Sequence, residues 1–343
     1  MFSRLYGSLI NARNSLYEKG VFASHSLGAK TVSVGNITVG GTGKTPLVAF
    51  IAEVLAERGE KVCVLTRGYG RENSRQQVLV SDSEQILTDV RKAGDEPFEL
   101  ANQLLGKAIV VANANRVAAA NWARGKFGIT AFVLDDGFQH RRAARDLDIV
   151  CVDATNPFGN GKSLPAGILR EPLENLERAD AIVVTRANLA NDISGLKSQI
   201  TEYNSTCPIF VSENRISRLV DLADFPAKAQ SSLRTNAEER KAKNYLAFCA
   251  LGNPNNFFEQ LRRAKFNLVA VRKFPDHHFY TAKDVQELST KAQQSKADIL
   301  LTTGKDAVKL EGLRFDLPCL VIENSLIFET NDFRDWLLKL NSK

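Results

Sequence analysis

The feature that most constrains this chain is the junction at residues 31–55. A β-branched lead-in (Thr31, Val32, Val34) runs into a glycine-rich stretch. Lys44-Thr45 then opens a segment in which Leu47, Val48, Ile51, Val54 and Leu55 recur at helical spacing. Apolar strand, glycine loop, Gly-Lys-Thr and helix, in that order, read as a phosphate-binding loop. In such a loop, main-chain N–H groups and the helix N-terminus face phosphate oxygens. On that reading Gly40, Gly41, Thr42, Gly43, Lys44 and Thr45 hold a nucleoside triphosphate. Lys44 reaches the outer phosphates and the Thr45 hydroxyl sits on Mg2+. The signature asks for glycine five residues before Gly43, where this chain has Thr38; Gly40 and Gly41 supply the flexibility instead.

Downstream, short apolar runs at 61–66, 108–112, 129–134, 148–153 and 181–185 alternate with helical segments. That pattern predicts an α/β fold, a parallel sheet of the phosphate-loop NTPase type flanked by helices. The run at 129–134 ends in Asp135-Asp136, where such proteins place the carboxylate that holds Mg2+, so Asp135 and Asp136 are the candidate metal ligands with Thr45. Thr185-Arg186-Ala187-Asn188 falls where guanine-specific proteins carry Asn-Lys-x-Asp; the lysine and aspartate are missing, which argues against GTP. Residues 212–243 turn charged and rich in alanine and serine, and a second α/β pattern follows. The expected organisation is an N-terminal helix within 1–28, a phosphate-loop domain over 29–212, a connecting segment over 213–243 and a smaller α/β domain over 244–343.

The net charge of +6 suits an acidic partner. Basic residues do not cluster with aromatics along any one element, so nucleic acid is not expected. The five cysteines form no C-x-x-C pair and read as reduced thiols, with no zinc site. No run approaches the ~18 apolar residues of a membrane span. Near the start, Phe2, Leu5, Tyr6, Leu9, Ile10, Leu16 and Tyr17 fall on one helical face with Arg4, Arg13 and Lys19 interspersed. That layout suits an amphipathic helix on an anionic membrane surface; a helix packed on its own domain would read the same way.

Taken in order, the motifs resemble those of the tetraacyldisaccharide 4′-kinase family. The resemblance rests on Val34-Gly35-Asn36 through Pro46, Arg67-Gly68-Tyr69-Gly70, Gly94-Asp95-Glu96-Pro97 and Asp135 through His140. It continues through Leu164-Pro165-Ala166-Gly167, Arg170-Glu171-Pro172, Gly252-Asn253-Pro254, Phe274-x-Asp276-His277 and Lys305 through Lys309. It implies a kinase that moves the γ-phosphate of ATP, with Mg2+, onto the 4′-hydroxyl of a lipid disaccharide 1-phosphate in lipid A biosynthesis. It also implies a peripheral place on the cytoplasmic face of the bacterial inner membrane, and a smaller domain closing over the nucleotide cleft. In the family the base is the aspartate of Gly-Asp-Glu-Pro, here Asp95, working with the histidine of Phe-x-Asp-His, here His277. From the residues alone His278 and His140 are equal candidates. Arg116 and Arg170 are expected to stabilise phosphate charge beside Lys44 and Asp136, and Glu171 to orient metal or water; exposed loop charges would look alike. Gly304 stands where the family usually has glutamate, so residues 303–309 receive no role. The rival from another class is a nucleotide switch or partner-binding ATPase with no lipid acceptor.

Overall fold

The structure, a computed structural model, describes residues 2–225 and 237–340. Its strands are β1 (Lys30–Gly35), β2 (Val62–Thr66), β3 (Val78–Ser81), β4 (Ala108–Ala112), β5 (Ala131–Asp135) and β6 (Leu147–Asp153). They continue with β7 (Ala181–Thr185), β8 (Ile209–Asp221), β9 (Asn244–Cys249), β10 (Asn267–Lys273), β11 (Ile299–Thr303) and β12 (Cys319–Phe328). All twelve join one sheet in the order β10-β9-β11-β12-β8-β7-β6-β1-β5-β2-β4-β3. Pairing is parallel except at the edge pair β3–β4 and at β8–β12.

In the larger half, strands β7-β6-β1-β5-β2-β4 form a parallel sheet buried on both faces, with antiparallel β3 on its edge, which is why those six strands are continuous apolar runs. The two-residue period still sorts the side chains. In β2, Val62 and Val64 join the core under helix Lys44–Glu57, whereas Cys63 and Leu65 join the core under helix Arg116–Phe127. The second helix is capped locally: Asn115 accepts from the Ala118 N–H, and Gly128 ends it in the left-handed region.

The long strands β8 and β12 carry the sheet into its smaller half. Ile209 to Val211 run parallel to β7, and Ser212 to Asp221 then pair antiparallel with β12, with a register shift at Glu323–Asn324. The expected connecting segment over 213–243 is therefore strand as far as Asp221 and helix over Ala237–Ala242, while residues 226–236 lie outside the described residues. Another departure concerns the C-terminus. Helix Asp332–Leu340 leaves β12 and buries Phe333 and Leu337 in the same core as Leu47 and Ile51, with Phe328 stacked on Phe333. This apolar pair, one turn apart, fills the core beside helix Lys44–Glu57 rather than the core of the smaller half.

The N-terminal helix, Phe2–Glu18, docks on the larger half through an unusual face. Gly7 and Asn14 are its buried residues. Tyr6 donates to the Arg170 carbonyl, Asn14 donates to Glu171, and the Ser3 hydroxyl accepts from the Ala166 N–H. The apolar face expected as one surface is thus split: Tyr6 turns inward while Phe2, Leu5 and Leu9 are 69%, 58% and 62% exposed.

Candidate functional site

The phosphate loop and the Asp135-Asp136 turn meet because Gly35 lets them. Gly137 N–H donates to the Val34 carbonyl, and a side chain at Gly35 would collide with Phe138. Gly43 begins the helix at a φ of 78°, a left-handed value that favours glycine. The loop's carbonyls are tied down from β7 and just beyond it: Thr185 Oγ1 donates to Thr42 O at 2.8 Å, and Arg186 to Gly41 O at 2.7 Å. A cavity of about 800 Å3 opens over this loop, walled on the far side by the smaller half of the sheet, including Gly252, His277 and Lys305.

Within it, Lys44 Nζ lies 3.3 Å from Asn36 Oδ1 and 3.4 Å from Asp136 Oδ1. Arg170 meets both oxygens of Asp136 at 2.8 and 2.9 Å. Burial alone would raise the Asp136 carboxyl, but Lys44 and Arg170 outweigh it and hold the group below its ordinary value. Asp135 differs. Burial, with Glu96 and Asp136 nearby, pushes it up to about 6, against the opposing effects of Lys44 and of a 2.9 Å hydrogen bond from Thr66. Asp135, Asp136 and Thr45 all line the cavity, and together they offer an oxygen-only donor set of the kind a hard divalent cation takes. The buried Thr42 hydroxyl, which has no hydrogen-bond partner among the described residues, adds an unclaimed oxygen. The residues present fit Mg2+.

Across the cavity, His277 Nδ1 sits 2.9 Å from both oxygens of Asp95. Asp95 starts helix Asp95–Gln103 on the larger half, whereas His277 follows β10 on the smaller one. Burial would raise Asp95, but the His277 hydrogen bond with Lys305 and Lys309 brings it below its ordinary value. His277 is raised, first by its hydrogen bond to Asp95. Asp136, Arg186 and His277 each adopt positive φ, an arrangement that costs energy and concentrates at working sites.

Two expected residues stand elsewhere. Arg116, 2% exposed, donates to the Asn113 and Ala114 carbonyls and to the Asp135 carbonyl at 3.1 Å. Burial lowers it to about 10; it braces the turn that carries the acids rather than lining the cavity. Glu171 is fully buried, its Oε2 accepting from Asn14 at 2.8 Å and from Arg178 at 2.7 Å. Glu171, expected to orient metal or water, does not line the cavity: Oε2 is taken by Arg178 and the N-terminal helix, while Oε1 has no hydrogen-bond partner among the described residues. His278 is likewise taken, stacked on Phe274 and bonded to Asp284. His140 is lowered to about 4 by burial and neighbouring arginines. Sequence reasoning missed Arg186, Thr66 and the lysines of residues 303–309. Arg186 is marked by the departure of Thr185-Arg186-Ala187-Asn188 from the guanine motif, and Lys305 and Lys309 by the motif at 305–309, which received no role; nothing marks Thr66.

A family model described as Tetraacyldisaccharide-1-P 4′-kinase matches residues 1–342. Tetraacyldisaccharide 4′-kinase of Halothermothrix orenii is 38% identical over 314 residues, 90% of this chain and 81% of the relative. The enzyme of that name from Desulfotalea psychrophila is 34% identical over 339 residues, 98% of this chain and 94% of the relative. The crystal structure of LpxK from Aquifex aeolicus in complex with ATP matches with a TM-score of 0.76 at 30% identity, covering 99% of this chain and 97% of that one.

Proposed function

This chain belongs to the tetraacyldisaccharide 4′-kinase family; it phosphorylates the 4′-hydroxyl of a lipid disaccharide 1-phosphate with ATP, and we propose how its residues divide that work. Lys44 and the loop Gly40 to Thr45 grip the triphosphate. Thr45 with Asp135 and Asp136 would hold Mg2+, which draws charge from the phosphates. Arg170 steadies Asp136. The acceptor alcohol ionises far above neutrality, so its proton must leave as the new O–P bond forms and the bond to the departing ADP breaks. The Asp95–His277 pair receives that proton, with the buried carboxylate orienting the imidazole.

The observation that carries this reading is the 2.9 Å contact of Asp95 with His277 in the same cavity as the phosphate loop. A nucleotide switch without an acceptor would have no use for such a pair. The test is transfer of label from [γ-32P]ATP to an acylated glucosamine disaccharide 1-phosphate. Asp95→Ala and His277→Ala should each lower kcat by ~10²–10⁴ while ATP affinity survives. Full activity in both removes them from the mechanism.

The same reading places the chain on an anionic membrane surface, at the cytoplasmic face of the inner membrane. Its support is the helix whose polar side is used for docking and whose Phe2, Leu5 and Leu9 are left to the outside. No helix among the described residues is long and apolar enough to cross a membrane.

A further inference from the structure

Residues Thr303 to Lys309 take no part in the reading above, yet they converge on its central carboxylate. Lys309, its side chain 0% exposed, places Nζ 3.4 Å from Asp95 Oδ2 and 3.3 Å from Asp306 Oδ1. Lys305 Nζ lies 3.8 Å from the same Asp95 oxygen, 3.1 Å from Glu96 Oε1 and 3.7 Å from Asp276 Oδ1. Asp306 is fixed within the smaller half of the sheet: it accepts from the Ala250 N–H, the Thr303 hydroxyl and the Tyr280 hydroxyl. Lys309 therefore has one carboxylate partner, Asp306, in its own half and a second, Asp95, in the other.

A fully buried ammonium is costly unless carboxylates surround it, and Asp306 alone supplies one. We infer that Lys305 and Lys309 are positioning residues for Asp95: with His277 they form a cationic socket that seats the carboxylate when the two halves of the sheet meet, so that the proton-accepting pair exists only in the closed form. This rests on the reading of Asp95 and His277 as that pair. It assigns a task to the lysines of a loop that the Gly304 departure left unassigned.

The groups facing Asp95 are His277, Lys305 and Lys309, opposed by Glu96, Asp276 and Asp306, with Glu99 one turn along its helix. Removing either lysine deletes a positive charge beside the pair. Whichever member takes the proton then holds it more tightly, so the acidic limb of the kcat profile must move to higher pH. A lysine that only stiffened the fold would lower the melting temperature and leave that limb in place.

The experiment is the pH dependence of kcat for the full chain bearing Lys309→Met, Lys309→Arg or Lys305→Met, with circular dichroism melting alongside. The expected result is an approximately 10–10²-fold loss of kcat in both Met variants at neutral pH. It includes an unchanged KM for ATP, an acidic limb displaced upward, and recovery in Lys309→Arg. Should Lys309→Met not fold, Lys305→Met, at a site 13% exposed, decides alone. A folded Met variant with full kcat or an unmoved limb overturns the socket. If Asp95→Ala and His277→Ala are themselves fully active, the underlying reading fails instead, and the two failures are distinguishable.

Discussion

Gly35 and Phe138 touch so closely that a single added carbon would not fit: a Cβ on Gly35 would come within 2.6 Å of the Phe138 nitrogen. Asp135 and Asp136 lie just before Phe138, so this contact sets how near the acids stand to Lys44. Gly35→Ala should destabilise the fold by about 1–3 kcal/mol, as overpacking does, and should also cut turnover because the acids are pushed away. Thermal melts and kcat measured on one preparation check this; a melt and a rate both like the parent's would show that the turn gives way freely.

The Asp95–His277 contact has a defined pH signature. His277 is raised above 6.5, so its contribution to holding the halves together is complete below that value and is lost as pH climbs through the raised one. Asp95 is depressed below 3.8, so its contribution is present above that value and fades as pH falls through the depressed one. The contact is therefore strongest between these limits. In Asp95→Asn the imidazole loses its charged acceptor, and its NMR titration should move to lower pH. An unmoved titration would mean that the two side chains do not meet in solution.

Neighbours Arg170 and Glu171 should fail in opposite ways. Arg170→Ala frees Asp136 without opening the core, and kcat is expected to fall ~10²–10³ with the melting temperature little changed. Glu171→Ala leaves the largely buried Arg178 without its carboxylate partner, costing about 3 kcal/mol of stability while KM for ATP holds. A stable Glu171→Ala whose Mg2+ requirement has changed would return that residue to the metal.

Replacing Phe2, Leu5 and Leu9 together with serine should abolish co-sedimentation with anionic phospholipid vesicles, by at least tenfold in partition coefficient, because the apolar area lost is worth several times ~1.4 kcal/mol. ATP binding should be intact, since the helix docks through Tyr6, Gly7 and Asn14 instead. Vesicle binding that survives the triple substitution would move the membrane-facing surface elsewhere.

The nucleotide side of the site was legible in the sequence because its signals are local. Strand, glycine loop and Lys44-Thr45 are contiguous, and Asp135-Asp136 ends a strand of recognisable composition. What the sequence hid depends on long-range pairing. Lys309 meets Asp95 across 214 residues, and nothing near residue 309 announces a carboxylate partner. Arg116 and Glu171 carry the charges that motif position suggests, but burial turns them to bracing. The N-terminal helix misled in another manner. Its apolar residues read by spacing as one face, whereas Tyr6 spends its hydroxyl on the Arg170 carbonyl and lies on the docking side. By sequence order the last helix reads as part of the smaller domain, because order carries no information about which core Phe333 fills.

That last feature makes the molecule inseparable. The ribbon of β8 and β12 leaves the larger half and comes back to it, and the returning end delivers Phe333 and Leu337 to the core beneath the phosphate loop. A fragment halted anywhere after β8 would lack part of its own interior, so neither portion is expected to be recovered alone in folded form. Synthesis must pass Leu337 before the core beneath the nucleotide cradle can be filled.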